Sequence, residues 1–143
     1  MPAAHHTVEI DAPLDLVMAT ITDFGAYPSF LPDMQSAEVL RQGDGEWEVR
    51  FTLRLIRQLV YTLKLTAVGP NLLRWILLEG AFRSNAGSWE LTPLGADRTR
   101  ADYRIDVSVG MYVPGNIVRS LVDRGLPDTL SRFKAEAERR AAL

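Results

Sequence analysis

One stretch decides the fold: Trp47-Glu48-Val49-Arg50-Phe51-Thr52-Leu53-Arg54-Leu55, in which odd positions are apolar and even positions are polar or charged. Successive side chains of a β-strand point to opposite faces, so this alternation predicts a strand with one dry face and one wet face. The same period recurs in four later runs, whose members on the predicted dry side are Tyr61, Leu63, Leu65, Ala67, Leu73, Trp75, Leu77, Trp89, Leu91, Thr99, Ala101, Tyr103, Ile105, Val107 and Val109. The sequence therefore predicts a sheet that is apolar on one side.

Turn-forming residues separate these runs. They occupy Gly43-Asp44-Gly45, Gly69-Pro70-Asn71 and residues 93–97, which include Gly95. Short connections between consecutive strands imply antiparallel neighbours, so we expect a meander of about six strands beginning near Ser36.

Two short helices are predicted ahead of the meander. Residues 8–10 have the pattern of a short strand, Asp11 is placed to cap a helix, and Pro13 suits its first turn. An apolar stripe at helical spacing follows, formed by Leu14, Val17, Met18 and Ile21. Residues 26–31 are predicted as a second short helix that ends at Pro32.

A long helix is predicted at the C-terminus, from Pro114 nearly to Leu143, with a kink or break at Gly125 and Pro127. Its apolar face contains Ile117, Leu121, Leu130, Phe133 and Ala137, and its solvated end contains Glu136, Glu138, Arg139 and Arg140. A sheet with one apolar face must be covered, and this helix is the only predicted element long enough. We therefore expect one α+β domain over residues 1–143: a curved antiparallel sheet of about six to seven strands around a long C-terminal helix, with two short helices after strand 1.

Composition excludes several classes of site. The chain of 143 residues is 47% hydrophobic and has no cysteine, which rules out disulfides, thiolate metal sites and a cysteine nucleophile. The two histidines, His5 and His6, are adjacent and would point to opposite faces of a strand, so we predict no metal site. No nucleophile–base pair is recognisable, so we predict no catalytic residues and no cofactor.

The charge balance and the lengths of the apolar runs limit the kinds of partner that we expect for this protein. A formal net charge of −2 gives no basic excess for nucleic acid, and none is expected as a partner. The outer-face cations, which are Arg50, Arg54, Lys64, Arg74, Arg100 and Arg104, alternate with acidic residues, as expected for cross-strand pairing. The start of the chain lacks signal-peptide character and no apolar run could span a bilayer, so we expect a cytoplasmic protein without a transmembrane segment.

Three groups of residues resemble one known family. They are Ile10-Asp11-Ala12-Pro13 with Tyr27-Pro28 and Phe30-Leu31-Pro32, then Gly87-Ser88-Trp89-Glu90-Leu91 after Glu79-Gly80, and finally the run from Phe133 to Glu138. Together they resemble the polyketide cyclase/dehydrase and coenzyme Q-binding branch of the START-like superfamily, which implies a helix-grip fold. Coenzyme Q-binding and ribosome-associated toxin members often carry Trp-Cys after the Phe-Leu-Pro element. Asp33-Met34 stand there in this chain, which counts against those two particular roles.

The resemblance implies a ligand cavity between sheet and helix. The expected ligand-binding residues are Phe51, Tyr61, Trp75, Leu77, Arg83, Trp89, Tyr103, Ile105, Leu121 and Leu130. The residues alone leave a filled aromatic core as the alternative. Arg83, Asn85 and Glu79 share the parity of Trp89 and would face the cavity mouth, unless a bulge between Gly80 and Gly87 turns them to water.

Three functions are consistent with these features. The first is binding or carrying an apolar or aromatic small molecule, such as a lipid, an isoprenoid quinone or a polyketide. The second is a polyketide aromatase/cyclase in the same cavity, with Arg83, Tyr61 and Tyr103 as the residues that would act on a carbonyl chain. The third is a protein- or ribosome-interacting regulatory role. Ligand identity and oligomeric state do not follow from the sequence.

Overall fold

The computed structural model describes residues 3–54, 58–109 and 125–143, which form a curved seven-stranded antiparallel sheet packed against helices. In chain order the elements are β1 (Ala3–Ile10), α1 (Leu14–Ile21), a 3₁₀ turn (Phe24–Ala26), α2 (Tyr27–Phe30), β2 (Met34–Gly43), β3 (Glu46–Arg54), β4 (Gln58–Val68), β5 (Leu72–Gly80), β6 (Phe82–Gly95), β7 (Arg98–Val109) and α3 (Leu126–Ala141). The predicted fold class and element order are confirmed.

The sheet is a meander with one strand added at its far edge. Its order is β1-β7-β6-β5-β4-β3-β2, so β2 to β7 are sequential neighbours and β1 pairs with the last strand. The chain therefore passes from one edge of the sheet to the other through α1 and α2. This connection brings both short helices into contact with α3.

The N-terminal boundaries differ from the prediction. Strand β1 begins at Ala3 rather than near Val8, because its pairing with β7 extends to Ala3 opposite Asp106. Helix α1 is capped by Pro13, without a side-chain hydrogen bond, so the expected cap at Asp11 is wrong. The Asp11 backbone N–H instead donates to Glu138 Oε2 at 2.9 Å, which ties the end of β1 to α3.

Helix α3 lies with its apolar face against the rest of the domain. Leu126, Leu130, Phe133 and Ala137 are buried on that face. Pro127 lies in the first turn, where backbone N–H groups have no partner within the helix, so the lack of an N–H on proline costs no helical hydrogen bond. The expected start at Pro114 and the expected contacts of Ile117 and Leu121 lie outside the described residues.

The end of α3 is less solvated than the sequence predicted. Glu136 is only 8% exposed and accepts hydrogen bonds from Arg139 and Arg140 at 2.8–2.9 Å. Arg140 Nη2 also donates to Asp23 Oδ2 at 3.0 Å, just after α1. Hydrogen bonds from Arg139 and then Arg140 lower the pKa of Glu136 to about 2. This ionic cluster fastens the helix to the N-terminal part of the chain.

Candidate functional site

A cavity of about 230 Å³ lies between the inner face of the sheet and α3. Strands β3 to β7 supply most of its wall, α3 supplies Leu126, Thr129 and Phe133, and the segment after α2 supplies Leu31 and Pro32. The aromatic strand residues therefore leave space between them, and the interior is not a solid core throughout.

Aromatic rings surround this cavity in a continuous chain of contacts. On one side, Phe51 stacks between Tyr27 and Tyr61 with ring centroids 5.9 and 5.5 Å apart, and Tyr61 meets Phe82 edge to face at 4.9 Å. On the other side, Tyr103 contacts both Trp75 at 5.3 Å and Trp89 at 4.8 Å.

Phe133 of α3 joins the two sides of this chain. Its ring lies 5.1 Å from those of Trp89 and Tyr27 and 5.2 Å from that of Phe30. At Phe133 the contact between helix and sheet is thus aromatic. It is rigid at little entropic cost because each ring has few rotatable bonds.

A glycine makes room for the indole of Trp75. Gly87 lies directly opposite Trp75 in the β5–β6 ladder, and a Cβ there would overlap the Trp75 ring and the Arg104 carbonyl oxygen. The indole therefore occupies the space of the missing side chain. Its Nε1–H donates to Asn85 Oδ1 at 3.0 Å, and Asn85 lines the cavity.

A bulge decides which residues at the start of β6 face inward. The β6–β7 register shifts between Phe82 and Ser84, so Phe82 and Asn85 both line the cavity although their parity differs. Arg83 and Glu79 are exposed. A bulge is therefore present, but it does not turn the whole segment to water: the expected inward position is confirmed for Asn85 and is wrong for Arg83 and Glu79.

The other residues expected to bind ligand fall into three groups. Those that line the cavity are Phe51, Tyr61, Trp75, Trp89, Tyr103 and Ile105. Leu77 and Leu130 pack into the surrounding core without reaching the cavity, since neither belongs to its lining. Leu121 lies outside the described residues.

Three tyrosines of the interior, of which Tyr27 and Tyr61 are buried and Tyr103 is half-buried, differ in the hydrogen bonds of their hydroxyls. The Tyr27 hydroxyl donates to the Ile21 carbonyl oxygen. Tyr61 and Tyr103 both line the cavity, and within the described ranges their hydroxyls have no hydrogen-bond partner. Burial raises the pKa of both phenols, and the neighbouring Tyr61 raises that of Tyr103 further. They are therefore neutral hydrogen-bond donors at physiological pH.

Three charged residues line the cavity, and two of them form an ion pair. Asp33 follows α2, and Asp128 and Arg132 lie in the first two turns of α3. Arg132 Nε donates to Asp128 Oδ2 at 2.9 Å, so the cation is already paired. The rest of the described lining is aromatic, aliphatic or uncharged.

Several lining residues escaped prediction. Tyr27 and Leu31 occur in the Tyr-Pro and Phe-Leu-Pro elements, but a helix after strand 1 gives no sign that it will face the cavity. Alternation in the sequence does not predict Phe82 as a lining residue, because the bulge changes its parity relative to Asn85. Phe133 carried a usable signal, because it lies at helical spacing with Leu126 and Leu130 on the apolar side of α3.

Three of the cations predicted for the outer face of the sheet form ion pairs with acidic neighbours. Arg50 lies 4.0 Å from Glu38, Lys64 lies 4.0 Å from Glu46, and Arg100 lies 3.6 Å from Asp102. His5 contacts Asp102 at 3.1 Å. Among residues 3–54, 58–109 and 125–143, no group of three or more potential metal ligands is present. In the same ranges no helix is both long and apolar enough to cross a membrane.

The architecture defines the class: a START-like helix-grip domain with a cavity between sheet and helix. The sequence model of the family described as polyketide cyclase/dehydrase and lipid transport matches residues 10–134. The chain belongs to this family.

Solved structures share the fold at low sequence identity. A START superfamily protein from Mycobacterium smegmatis is 22% identical, with a TM-score of 0.85 over 96% of this chain and 97% of that one. The ZhuI aromatase/cyclase from Streptomyces sp. R1128 is 23% identical, with a TM-score of 0.86 over 97% and 94% of the two chains. A curated relative, the persistence and stress-resistance toxin PasT of Escherichia coli O6:H1, is 22% identical over 74% of this chain and 68% of its own.

Proposed function

We propose that this protein binds an apolar or aromatic small molecule, of the lipid, isoprenoid or polyketide class, in the cavity between the sheet and α3. The observation that carries the proposal is the cavity of about 230 Å³ with its aromatic lining. Small-molecule sites are concave and mostly apolar, with a few polar groups that fix orientation. Tyr61, Tyr103 and Asn85 are such groups here.

Matched substitutions on one strand test this proposal. Leu63 of β4 lines the cavity, whereas Val60 of the same strand is 42% exposed. Leu63→Trp should fill part of the cavity and weaken binding of the neutral fluorescent probe N-phenyl-1-naphthylamine by at least about tenfold, since apolar burial dominates such binding. Val60→Trp should leave the affinity unchanged. Equal probe affinity in both variants, with intact circular dichroism, would place the probe elsewhere and refute the cavity as the binding site.

A second candidate is aromatase/cyclase activity in the same cavity. The likeness to the ZhuI aromatase/cyclase and the family description favour it. Catalysis would consist of folding a reactive chain against the aromatic wall and keeping water out, with Tyr61 and Tyr103 donating to its carbonyl oxygens. A linear poly-β-keto thioester should then gain the absorption of an aromatic product with the wild-type protein and not with Leu63→Trp. If the probe binds but no such product forms, the cyclase activity is refuted and only the binding function remains.

The third candidate, a regulatory role through contact with protein or ribosome, has the toxin relative as its support. Two of the outer-face cations, Arg50 and Lys64, form ion pairs with their own neighbours and so offer less charge to a partner. Co-sedimentation with ribosomes at low salt tests it, and absence from the ribosomal pellet would remove it.

A further inference from the structure

The amide of Asn85 has an orientation that its neighbour determines. Asn85 is only 6% exposed, and its Oδ1 accepts the hydrogen bond from Trp75 Nε1 at 3.0 Å. An indole N–H donates and never accepts, so the amide must turn its oxygen toward Trp75. The amide NH₂ group, which is bonded to the same carbon as the oxygen, then points away from Trp75.

This NH₂ group faces the cavity. Asn85 belongs to the cavity wall, and within the described ranges no residue accepts a hydrogen bond from its Nδ2. Nor do those ranges contain a side-chain nitrogen or oxygen that is fully buried without a partner. The donor is therefore in contact with the cavity space, and a buried amide donor of this kind favours a ligand atom that accepts a hydrogen bond.

The surroundings of Asn85 specify what that ligand atom can be. Besides Tyr27 and Thr129, the uncharged polar side chains that share the wall with Asn85 are those of Tyr61 and Tyr103, whose raised pKa keeps them protonated. The single cation in the described lining, Arg132 of α3, is paired with Asp128. A carboxylate drawn into the aromatic part would lose its hydration without gaining a counter-charge, which is costly. A neutral oxygen meets no such penalty.

We infer that Asn85, held in place by Trp75, is a specificity-determining residue that recognises a neutral carbonyl oxygen on a flat aromatic ligand. The inference deepens the proposed function and rests on it. Gly87 supports the arrangement, because a side chain there would displace the indole that orients the amide. Trp75 is thus a positioning residue that acts through Asn85.

Two flat probes of nearly equal size, 9-fluorenone and fluorene, test the inference because they differ by a carbonyl group. The wild-type protein should bind the ketone about five- to tenfold more tightly than the hydrocarbon, as expected for one good hydrogen bond in a dry site. Fluorene-9-carboxylate, which carries a charge, should bind most weakly. Asn85→Leu should abolish the preference for the ketone while still binding fluorene. Trp75→Phe, which leaves the amide free to turn, should reduce the preference without abolishing it.

An infrared measurement separates recognition from a merely structural role. The carbonyl stretch of fluorenone bound to the wild-type protein should lie at lower frequency than in hexane, and Asn85→Leu should return it toward the hexane value. Failure of both fluorene and fluorenone to bind the wild-type protein would overturn the proposed function and this inference with it. Equal binding of both probes to the wild-type protein, or a ketone preference that survives in Asn85→Leu, would overturn the inference alone.

Discussion

The two ends of the interior are built differently. Around α1 the core is solid: Ile10, Ile21 and Leu91 are each 1% exposed. Its polar side chains are satisfied within the chain, since Thr99 Oγ1 donates to the Ala12 carbonyl oxygen at 2.8 Å and Thr20 Oγ1 to that of Leu16 at 2.8 Å. Around Trp75 the interior has empty space and polar groups that face it.

The two ends of the interior therefore contribute differently to folding stability and to ligand binding. A polar group that is satisfied inside the chain stabilises the fold and has little left for a ligand. The donors at the cavity contribute less to folding, because within the described ranges no protein acceptor bonds to them. The solid end is therefore expected to carry most of the folding stability, and the cavity end most of the specificity.

Truncating one leucine at each end should show the largest difference. Leu91→Ala leaves a hole in the solid end and should cost about 3–4 kcal/mol of unfolding free energy. Leu53→Ala enlarges a cavity that already exists, at a side chain that is only half-buried, and should cost about 1–2 kcal/mol. Urea unfolding of both variants measures this, and equal costs would show that the two ends do not differ in packing.

The ionic cluster on α3 should make stability depend on acid. Because the folded pKa of Glu136 is about 2 and its ordinary value is 4.5, the ionised carboxylate stabilises the fold above about pH 4.5. This contribution, about 2–3 kcal/mol at most, is lost as pH falls toward 2. Unfolding free energies of Glu136→Gln should therefore change less between pH 6 and pH 3 than those of the wild type. Glu38→Gln, at an exposed residue on β2, is the control and should keep the wild-type slope.

Removing single hydroxyls should give the smallest stability changes and the sharpest comparison. Tyr27→Phe deprives the Ile21 carbonyl oxygen of its donor and should cost about 1–2 kcal/mol. Tyr103→Phe removes a hydroxyl without a described partner and should leave neutral-pH stability within about 0.5 kcal/mol of the wild type. Thermal or urea unfolding of the pair is the measurement. A larger loss in Tyr103→Phe than in Tyr27→Phe would contradict the division between the two ends.

Alkaline pH provides a second readout on the same variants. Burial raises the pKa of Tyr61 and Tyr103, so these phenols stay protonated in the folded protein while those of the unfolded chain lose protons near pH 10. The contribution of these two phenols to stability is therefore fully present below pH 10 and is lost as pH rises beyond it. The fall should be shallower in Tyr103→Phe, because one titrating group is gone.

Much of the fold follows from local patterns in the sequence. The period-two alternation in residues 47–54 determined the faces of β3, and the Gly- and Pro-containing turns determined the antiparallel order of the meander. The apolar spacing of Leu130, Phe133 and Ala137 determined which side of α3 is buried. These features depend on neighbours within one element, which is why the sequence alone predicts them.

Tertiary structure decided what depends on contacts between elements. The bulge after Phe82 turned Arg83 outward, and the pairing of β1 with β7 lengthened the first strand. Arg140, which bonds both Asp23 and Glu136, connects the end of α3 to the N-terminal part of the chain. Alternation cannot distinguish a filled core from a cavity, since both need the same apolar side chains on one face. Whether space remains between them depends on the curvature of the sheet and on the distance at which Phe133 holds the helix, and no single element specifies either.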